Sequence, residues 1–114
     1  MTVFEVLAEP RRRQILDLLR QSELPVNDLV EQLGLAQPAV SKHLRVLRDA
    51  GLVMTRVDGP RRIYSVDATP LQDLEAWLAP YREMWSTALD KLERHLDKTT
   101  PSQDMKRRGV RRDR

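Results

Sequence analysis

The sequence contains no cysteine. That excludes disulfides, thiolate metal centres, iron–sulfur clusters and cysteine redox switching together. It has no apolar run near the ~18 residues that a membrane span requires. The opening Met1-Thr2-Val3-Phe4-Glu5 lacks the basic-then-apolar layout of a secretory signal, so a cytoplasmic location is expected. Glycine is scarce and forms no phosphate-cradling loop, and no nucleophile stands beside a paired histidine. Ser41 precedes His43 by two residues, but helical positions two apart diverge by about 200°. Neither an enzyme nor a cofactor is expected. Aromatics are limited to two Trp, two Tyr and one Phe, which leaves little for stacking on single-stranded bases and disfavours RNA.

What is present fits one domain. The chain has 114 residues, 40% hydrophobic and 32% charged, with a formal charge of +3. Single domains peak near ~100–150 residues. The modest total conceals a pattern: residues 1–36 carry a net −2, 37–66 a net +4, 67–98 a net −3 and 99–114 a net +4. A basic block on an otherwise acidic domain points to a polyanion-facing surface, though a chance cluster of solvated charges has the same arithmetic.

Periodicity organises the chain. Val3, Phe4, Val6 and Leu7 make one short helical piece. Pro10 opens a second, with Ile15, Leu16 and Leu19 inward. Arg11, Arg12 and Arg13 fall in its first turns, against the helix dipole. Glu23-Leu24-Pro25 reads as a connector. A short helix runs from Asn27 to Leu33 and ends at Gly34, and another runs from Gln37-Pro38 to about Ala50, where Gly51 stops it. Leu52–Val57 and Arg61–Val66 are β-rich and flank Asp58-Gly59-Pro60, a hairpin with a loop of several residues. A last long helix opens at Thr69-Pro70, with Thr69 as cap and Gln72 completing a capping box. On it, Leu71, Leu74, Leu78, Tyr81, Trp85, Ala88 and Leu92 recur in steps of three and four, a coiled-coil-like seam. Continued to Lys98, it would be roughly 43 Å long at ~1.5 Å per residue. It would then outrun its own core and need a partner for its seam. Pro80 is expected to kink it, and two shorter intramolecular helices broken there are the other arrangement. Residues 99–114 are expected to form a disordered basic tail, leaving 1–98 as the folded domain.

Two short helices joined by a tight glycine-containing turn, the second of them basic, make a helix-turn-helix candidate. At about 100° per residue, Val40, Leu44 and Leu47 of the second helix share one inward stripe. Pro38, Ser41, Lys42, Arg45, Arg48 and Asp49 lie outward, and Gln37 and His43 on the flanks. Lys and Arg reach phosphates and guanine edges, and Gln pairs with adenine. Taken alone, this is no more than an amphipathic helix with a charged face. The hairpin that follows, with Arg61 and Arg62 at its tip, makes the arrangement winged. Guanidinium groups there suit a narrow minor groove, with Asp58 offsetting part of the charge.

The motifs resemble those of the ArsR family of bacterial winged-helix regulators, also called the ArsR/SmtB group. The likeness runs from about Val3 to Leu96. It is carried by Phe4 to Leu16, by Gln37-Pro38-Ala39-Val40-Ser41-Lys42-His43-Leu44-Arg45-Val46-Leu47, by Ala50-Gly51-Leu52-Val53 and by Gly59-Pro60-Arg61-Arg62-Ile63-Tyr64. The resemblance implies a mainly α fold with a small β-hairpin: a winged helix-turn-helix with a long C-terminal dimerisation helix. It also implies a homodimeric repressor of transcription that leaves its operator on a signal, with the first and last helices building the dimer interface. Phe4, Leu71, Leu74, Leu78, Tyr81, Trp85, Leu89 and Leu92 are the interface candidates. Gln37, Ser41, Lys42, His43, Arg45, Arg48, Arg61 and Arg62 are the candidates for contact with double-stranded DNA.

The departures bear on the signal. Metal-sensing members carry cysteines in a Glu-Leu-Cys-Val-x-Asp-Leu box. Here Glu23-Leu24-Pro25-Val26-Asn27-Asp28-Leu29 keeps the frame with Pro25 and Asn27 where metal-binding thiolates would stand, and neither suits a soft metal. The family's other metal site falls, in approximate register, on Ala68, Pro70, Lys91 and Arg94. His43 and His95 do not rebuild it, since zinc normally takes three or four ligands. No metal is therefore expected, and no effector is named. Ala36 stands where many relatives have a serine cap. Trp77, Tyr81, Met84 and Trp85 read as interface core, with an apolar ligand pocket as the other use. The competing function is a protein-interaction module that dimerises through the last helix and turns its basic face to an acidic partner.

Overall fold

The computed structural model describes residues 1–99. The elements in order are α1 (Val3–Leu7), α2 (Pro10–Gln21), β1 (Leu24–Pro25), α3 (Val26–Leu33), α4 (Gln37–Asp49), β2 (Val53–Asp58), β3 (Arg61–Val66) and α5 (Leu71–Thr99). The chain divides into two compact units, Met1–Ala76 and Trp77 onward, with the boundary inside α5.

Local chemistry sets each boundary in the first unit. Thr2 caps α1 through a capping box: its Oγ1 accepts the Glu5 N–H at 3.2 Å, and Glu5 Oε1 accepts the Thr2 N–H at 2.7 Å. Pro10 opens α2, and the Glu9 carboxylate caps it by accepting the Arg11 N–H. The three arginines in that first turn are less unfavourable than their position implies. Arg13 turns away and donates to the Leu7 carbonyl at 2.6 Å, the C-terminal end of α1, where a cation is favoured. Gly34 ends α3 in the left-handed conformation. The end of α4 is a Schellman motif: the Gly51 N–H bonds the Arg48 carbonyl and the Leu52 N–H the Leu47 carbonyl, both at 2.9 Å. Leu47 and Leu52 are both fully buried, so the hydrophobic contact that accompanies such an ending belongs to the core.

The core joins Val6, Ile15, Leu19, Leu29, Val40, Leu44, Leu47, Leu52 and Val53. Burying each such side chain contributes roughly 1.5–3 kcal/mol relative to exposure. The inward stripe of Val40, Leu44 and Leu47 is thus the one that the helical period places there. Leu16, Val30 and Leu33 pack around it partly buried.

The sheet corrects the sequence reading twice. Leu24-Pro25 is a strand rather than a connector. It pairs antiparallel with β3, Leu24 opposite Tyr64 and Pro25 opposite Ile63, giving the order β1-β3-β2. The hairpin loop is also shorter than several residues. Asp58 pairs with Arg61, so only Gly59 and Pro60 connect the strands. Gly59 has φ +62°, which the first central position of a type II′ turn requires.

Two further corrections concern α5. Thr69-Pro70 forms a turn, and the helix begins at Leu71. The residue before that start is Pro70 rather than Thr69, and Thr69 is held in an Asx turn in which Asp67 Oδ1 accepts its N–H at 3.0 Å. That bond also keeps the Asp67 carboxyl below its ordinary pKa. Pro80 lies inside a helix that continues to Thr99, so the alternative of two helices broken there does not apply. Apart from Thr99, the expected disordered tail lies outside the described residues. No described helix is long and apolar enough to cross a membrane.

Candidate nucleic-acid interface

Helix α4 presents Ser41, Arg45 and Arg48 at positions i, i+4 and i+7, one stripe on its outer side. Strand β3 presents Arg62 and Tyr64 at i and i+2, hence on one face of the strand, while Ile63 between them is buried. The helical stripe and the strand face meet. Ser41, Leu44, Arg45, Arg48, Arg62 and Tyr64 line an open cavity of about 190 Å³. Arg45, Arg48 and Arg62 are all exposed, and Ser41 and Tyr64 half-buried.

A second recess of about 390 Å³ shares Arg62 and Tyr64 with the first, and Pro25, Asn27, Asp28, Gln37 and Arg61 also line it. Gln37 is the first residue of α4 and is exposed. Neither helix that opens near it has a side-chain cap: Pro25 precedes α3 and Ala36 precedes α4. Ala36 holds the cap position of α4, and its missing hydroxyl leaves the N-terminal amides without a side-chain acceptor.

The two wing-tip arginines differ. Arg61 Nη2 lies 3.7 Å from Asp58 Oδ2, so the offset expected from Asp58 falls on Arg61. No ion pair involves Arg62 among the described residues. Lys42 is exposed and lines neither cavity.

His43 is placed differently from the other candidates. It is half-buried and faces the start of α2, among Arg12, Glu9 and Arg11, with Lys42 beside it on α4. Its pKa is lowered, first by burial and then by the Arg12 guanidinium; Glu9 opposes the shift. The surrounding cations make it a poor metal ligand. Arg12 Nε is buried without a hydrogen-bond partner, so this flank of the helix keeps an unused donor. Among the described residues, no group of three or more His, Asp and Glu gathers to hold a metal ion.

The sequence did not place Tyr64, Arg11, Arg12 or Asn27 beside the basic face of α4. The signal for Tyr64 was available, since it follows Arg62 by the strand period. The position of the other three depends on how α2 and α3 pack beside α4, which their own segments do not reveal.

Of the proposed interface residues, Leu71 and Leu74 are half-buried within the first unit, and Phe4 is 43% exposed. In the second unit, Leu78 is half-buried, while Trp77, Tyr81, Met84, Trp85, Leu89 and Leu92 are each between 44% and 65% exposed. The Trp77 and Tyr81 rings lie 5.0 Å apart. At helical spacing these residues form one exposed apolar stripe along α5, the kind of surface that marks an interaction site.

Residues 9–55 match the family described as bacterial regulatory protein, arsR family. The transcriptional repressor SdpR of Bacillus subtilis is 34% identical over 76 residues, covering 67% of this chain and 84% of SdpR. A helix-turn-helix-type transcriptional regulator of Mycobacterium tuberculosis is 40% identical over 86 residues, 75% of this chain and 78% of that protein. The crystal structure of an ArsR family transcriptional regulator superposes with a TM-score of 0.63 at 34% identity, covering 73% of this chain and 91% of the other.

Proposed function

The chain belongs to the arsR family of bacterial regulatory proteins, and on that premise we propose that it is a homodimeric repressor that binds a specific operator. The observation that carries the reading is the meeting of two basic faces, one from α4 and one from the wing, on a single side of the first unit. In the proposed complex α4 lies in the major groove. Gln37, Ser41, Lys42 and Arg45 contact bases or phosphates there, and Arg48 and His43 contact the backbone. Arg61 and Arg62 reach the flanking minor groove on the wing. Two copies associate through Phe4 and the apolar seam of α5. Their recognition helices stand about one DNA turn apart, so the operator is an imperfect palindrome. No cysteine is available to sense a metal or an oxidant, so release from DNA, where it occurs, uses other chemistry.

The test is binding to the DNA upstream of the chain's own gene, against a scrambled duplex of equal length, across a salt series. Palindrome-dependent binding that survives moderate salt supports the reading. Equal binding to both duplexes that vanishes with salt reduces it to charge attraction. The triple change of Lys42, Arg45 and Arg48 to Ala separates DNA binding from an interaction module for an acidic protein. It abolishes binding to the duplex and leaves the dimer intact.

A further inference from the structure

We infer that the cavity between α4 and β3 is a seat for one backbone phosphate of the bound DNA in each half-site. Arg45, Arg48 and Arg62 supply its charge, and Ser41 and Tyr64 supply hydroxyl donors. The inference rests on the proposed DNA-binding function and changes it at one residue: Arg62 serves the sugar–phosphate backbone rather than the minor groove.

Three observations carry it. The first is the chemistry of the lining. Three guanidinium groups offer only donors, Ser and Tyr hydroxyls donate readily, and the buried Leu44 is the one apolar side chain of the lining besides the Tyr64 ring. No carboxylate lines the space. A group made of acceptor oxygens with negative charge is what such a wall lacks, and planar guanidiniums match a phosphate through paired bonds.

The second is the contrast with other arginines of the first unit. Arg56 is paired with Glu23 at 2.9 Å, Arg61 lies 3.7 Å from Asp58, and Arg13 donates to the Leu7 carbonyl at 2.6 Å. Arg45, Arg48 and Arg62 make no ion pair or hydrogen bond of this kind among the described residues. Like charges that converge without an acid repel one another. The arrangement is stabilised when an anion enters.

The third is position and size. A helix in the major groove and a wing at the adjacent minor groove straddle the strand that divides the two grooves. In the proposed complex the backbone of that strand runs past the recess lined by α4 and β3. Its 190 Å³ is many times the roughly 10–15 Å³ that one water needs, so the oxygens of a phosphate group can enter it.

Duplexes in which single phosphates are replaced by neutral methylphosphonates test the seat, using the full-length chain. Wild type is compared with Arg62→Gln, and with Tyr64→Phe as a second, milder variant. Circular dichroism melts confirm that both fold. On the unmodified upstream duplex, Arg62→Gln is expected to bind about tenfold more weakly, with a log–log salt slope shallower by about 0.9 per half-site. At one phosphate in each half-site, neutralisation weakens wild type by a similar factor and leaves Arg62→Gln unaffected. If Arg62→Gln loses the same factor on every methylphosphonate duplex, the seat is overturned. So too if its loss follows exchange of A·T for G·C in the flanking minor groove. Inorganic phosphate is titrated into the free protein as a further arm, followed by the arginine Nε–H signals in NMR. Saturation at micromolar phosphate with loss of DNA binding would assign the cavity to a free anion and overturn the backbone reading. The two levels fail separately. A wild type that does not prefer the upstream duplex removes the proposed function, whereas a specific wild type matched by Arg62→Gln removes only the seat.

Discussion

Arg56 Nη2 lies 2.9 Å from Glu23 Oε1, so the outer strand of the wing is tied across β3 to the residue that precedes β1. The register allows this reach: Arg56 stands opposite Ile63, and Ile63 opposite Pro25. Both side chains are about half exposed, and exposed pairs of this kind add little to global stability. Their effect is local. Glu23→Gln is expected to leave the thermal midpoint unchanged and to speed amide hydrogen exchange in β2, because the wing opens independently of the core. Equal exchange rates in both proteins would remove the tie from the account of the wing.

The uncapped start of α4 makes a stabilising substitution available. Ala36 has an extended backbone and no side-chain acceptor, which is the geometry that a serine cap uses. Ala36→Ser is expected to raise stability by about 0.5–1 kcal/mol, the lower part of the usual range. The reason is that the Ala39 N–H already reaches the Ala36 carbonyl at 3.1 Å. Urea unfolding reads the change as a higher midpoint at constant slope. A lowered midpoint would show that the hydroxyl finds no amide there.

The parts of this fold that were legible in the sequence are those fixed by one periodic segment. Val40, Leu44 and Leu47 follow the helical repeat and are buried, and Gly34 and Gly51 stop their helices with positive φ. What the sequence hid depends on a second segment. A two-residue strand at Leu24-Pro25 has no pattern of its own, and becomes a strand only because β3 offers it an edge. The outward stripe of α4 was legible, but not its closure by Arg62 and Tyr64, because a cavity between a helix and a strand needs both periods and their separation in space. Likewise Arg13 looks misplaced in α2 until the end of α1 is seen beside it.

Leu47 joins two functions of α4, since it is fully buried and also anchors the Schellman ending with Leu52. Leu47→Ala is expected to cost roughly 2–5 kcal/mol, a large part of the ~5–15 kcal/mol that holds a domain together. The urea midpoint should fall accordingly, at a protein concentration held constant because dimerisation shifts it. A loss below ~1 kcal/mol would mean that the helix collapses into the space and that the packing is looser than its burial implies.

The exposed stripe on α5 predicts association. Trp85 and Leu92 are 54% and 49% exposed, and in the proposed dimer both are covered. Trp85→Glu places a charge without a partner in that interface. It is expected to weaken dimerisation by more than about tenfold, equivalent to ~1.4 kcal/mol, read by sedimentation at a series of concentrations. Operator affinity falls with it, because one half-site alone is held by one recognition helix. A variant that stays dimeric at the wild-type concentration places the interface elsewhere.

His43 links folding to protons, and in the proposed complex it links DNA binding to them as well. Burial and the Arg12 guanidinium lower its pKa in the folded chain, while the unfolded chain keeps a value near ~6.5. The unfolded state therefore takes up the proton first on acidification. Stability contributed by neutral His43 is complete above ~6.5 and falls as the pH drops from there toward the lower folded value. His43→Gln lacks this loss, so urea midpoints of the two proteins should diverge between pH 7.5 and pH 5.5, with wild type falling further. Parallel curves would show that the environment of His43 does not perturb it. Binding to DNA reverses the sign if His43 meets the backbone as proposed. A nearby phosphate favours imidazolium, so complex formation takes up a proton and the affinity of wild type rises toward acid pH relative to His43→Gln. Calorimetry in buffers of different ionisation enthalpy measures that uptake directly. Absence of uptake, with operator binding otherwise intact, would place His43 away from the DNA and leave it to the packing of α4 on α2.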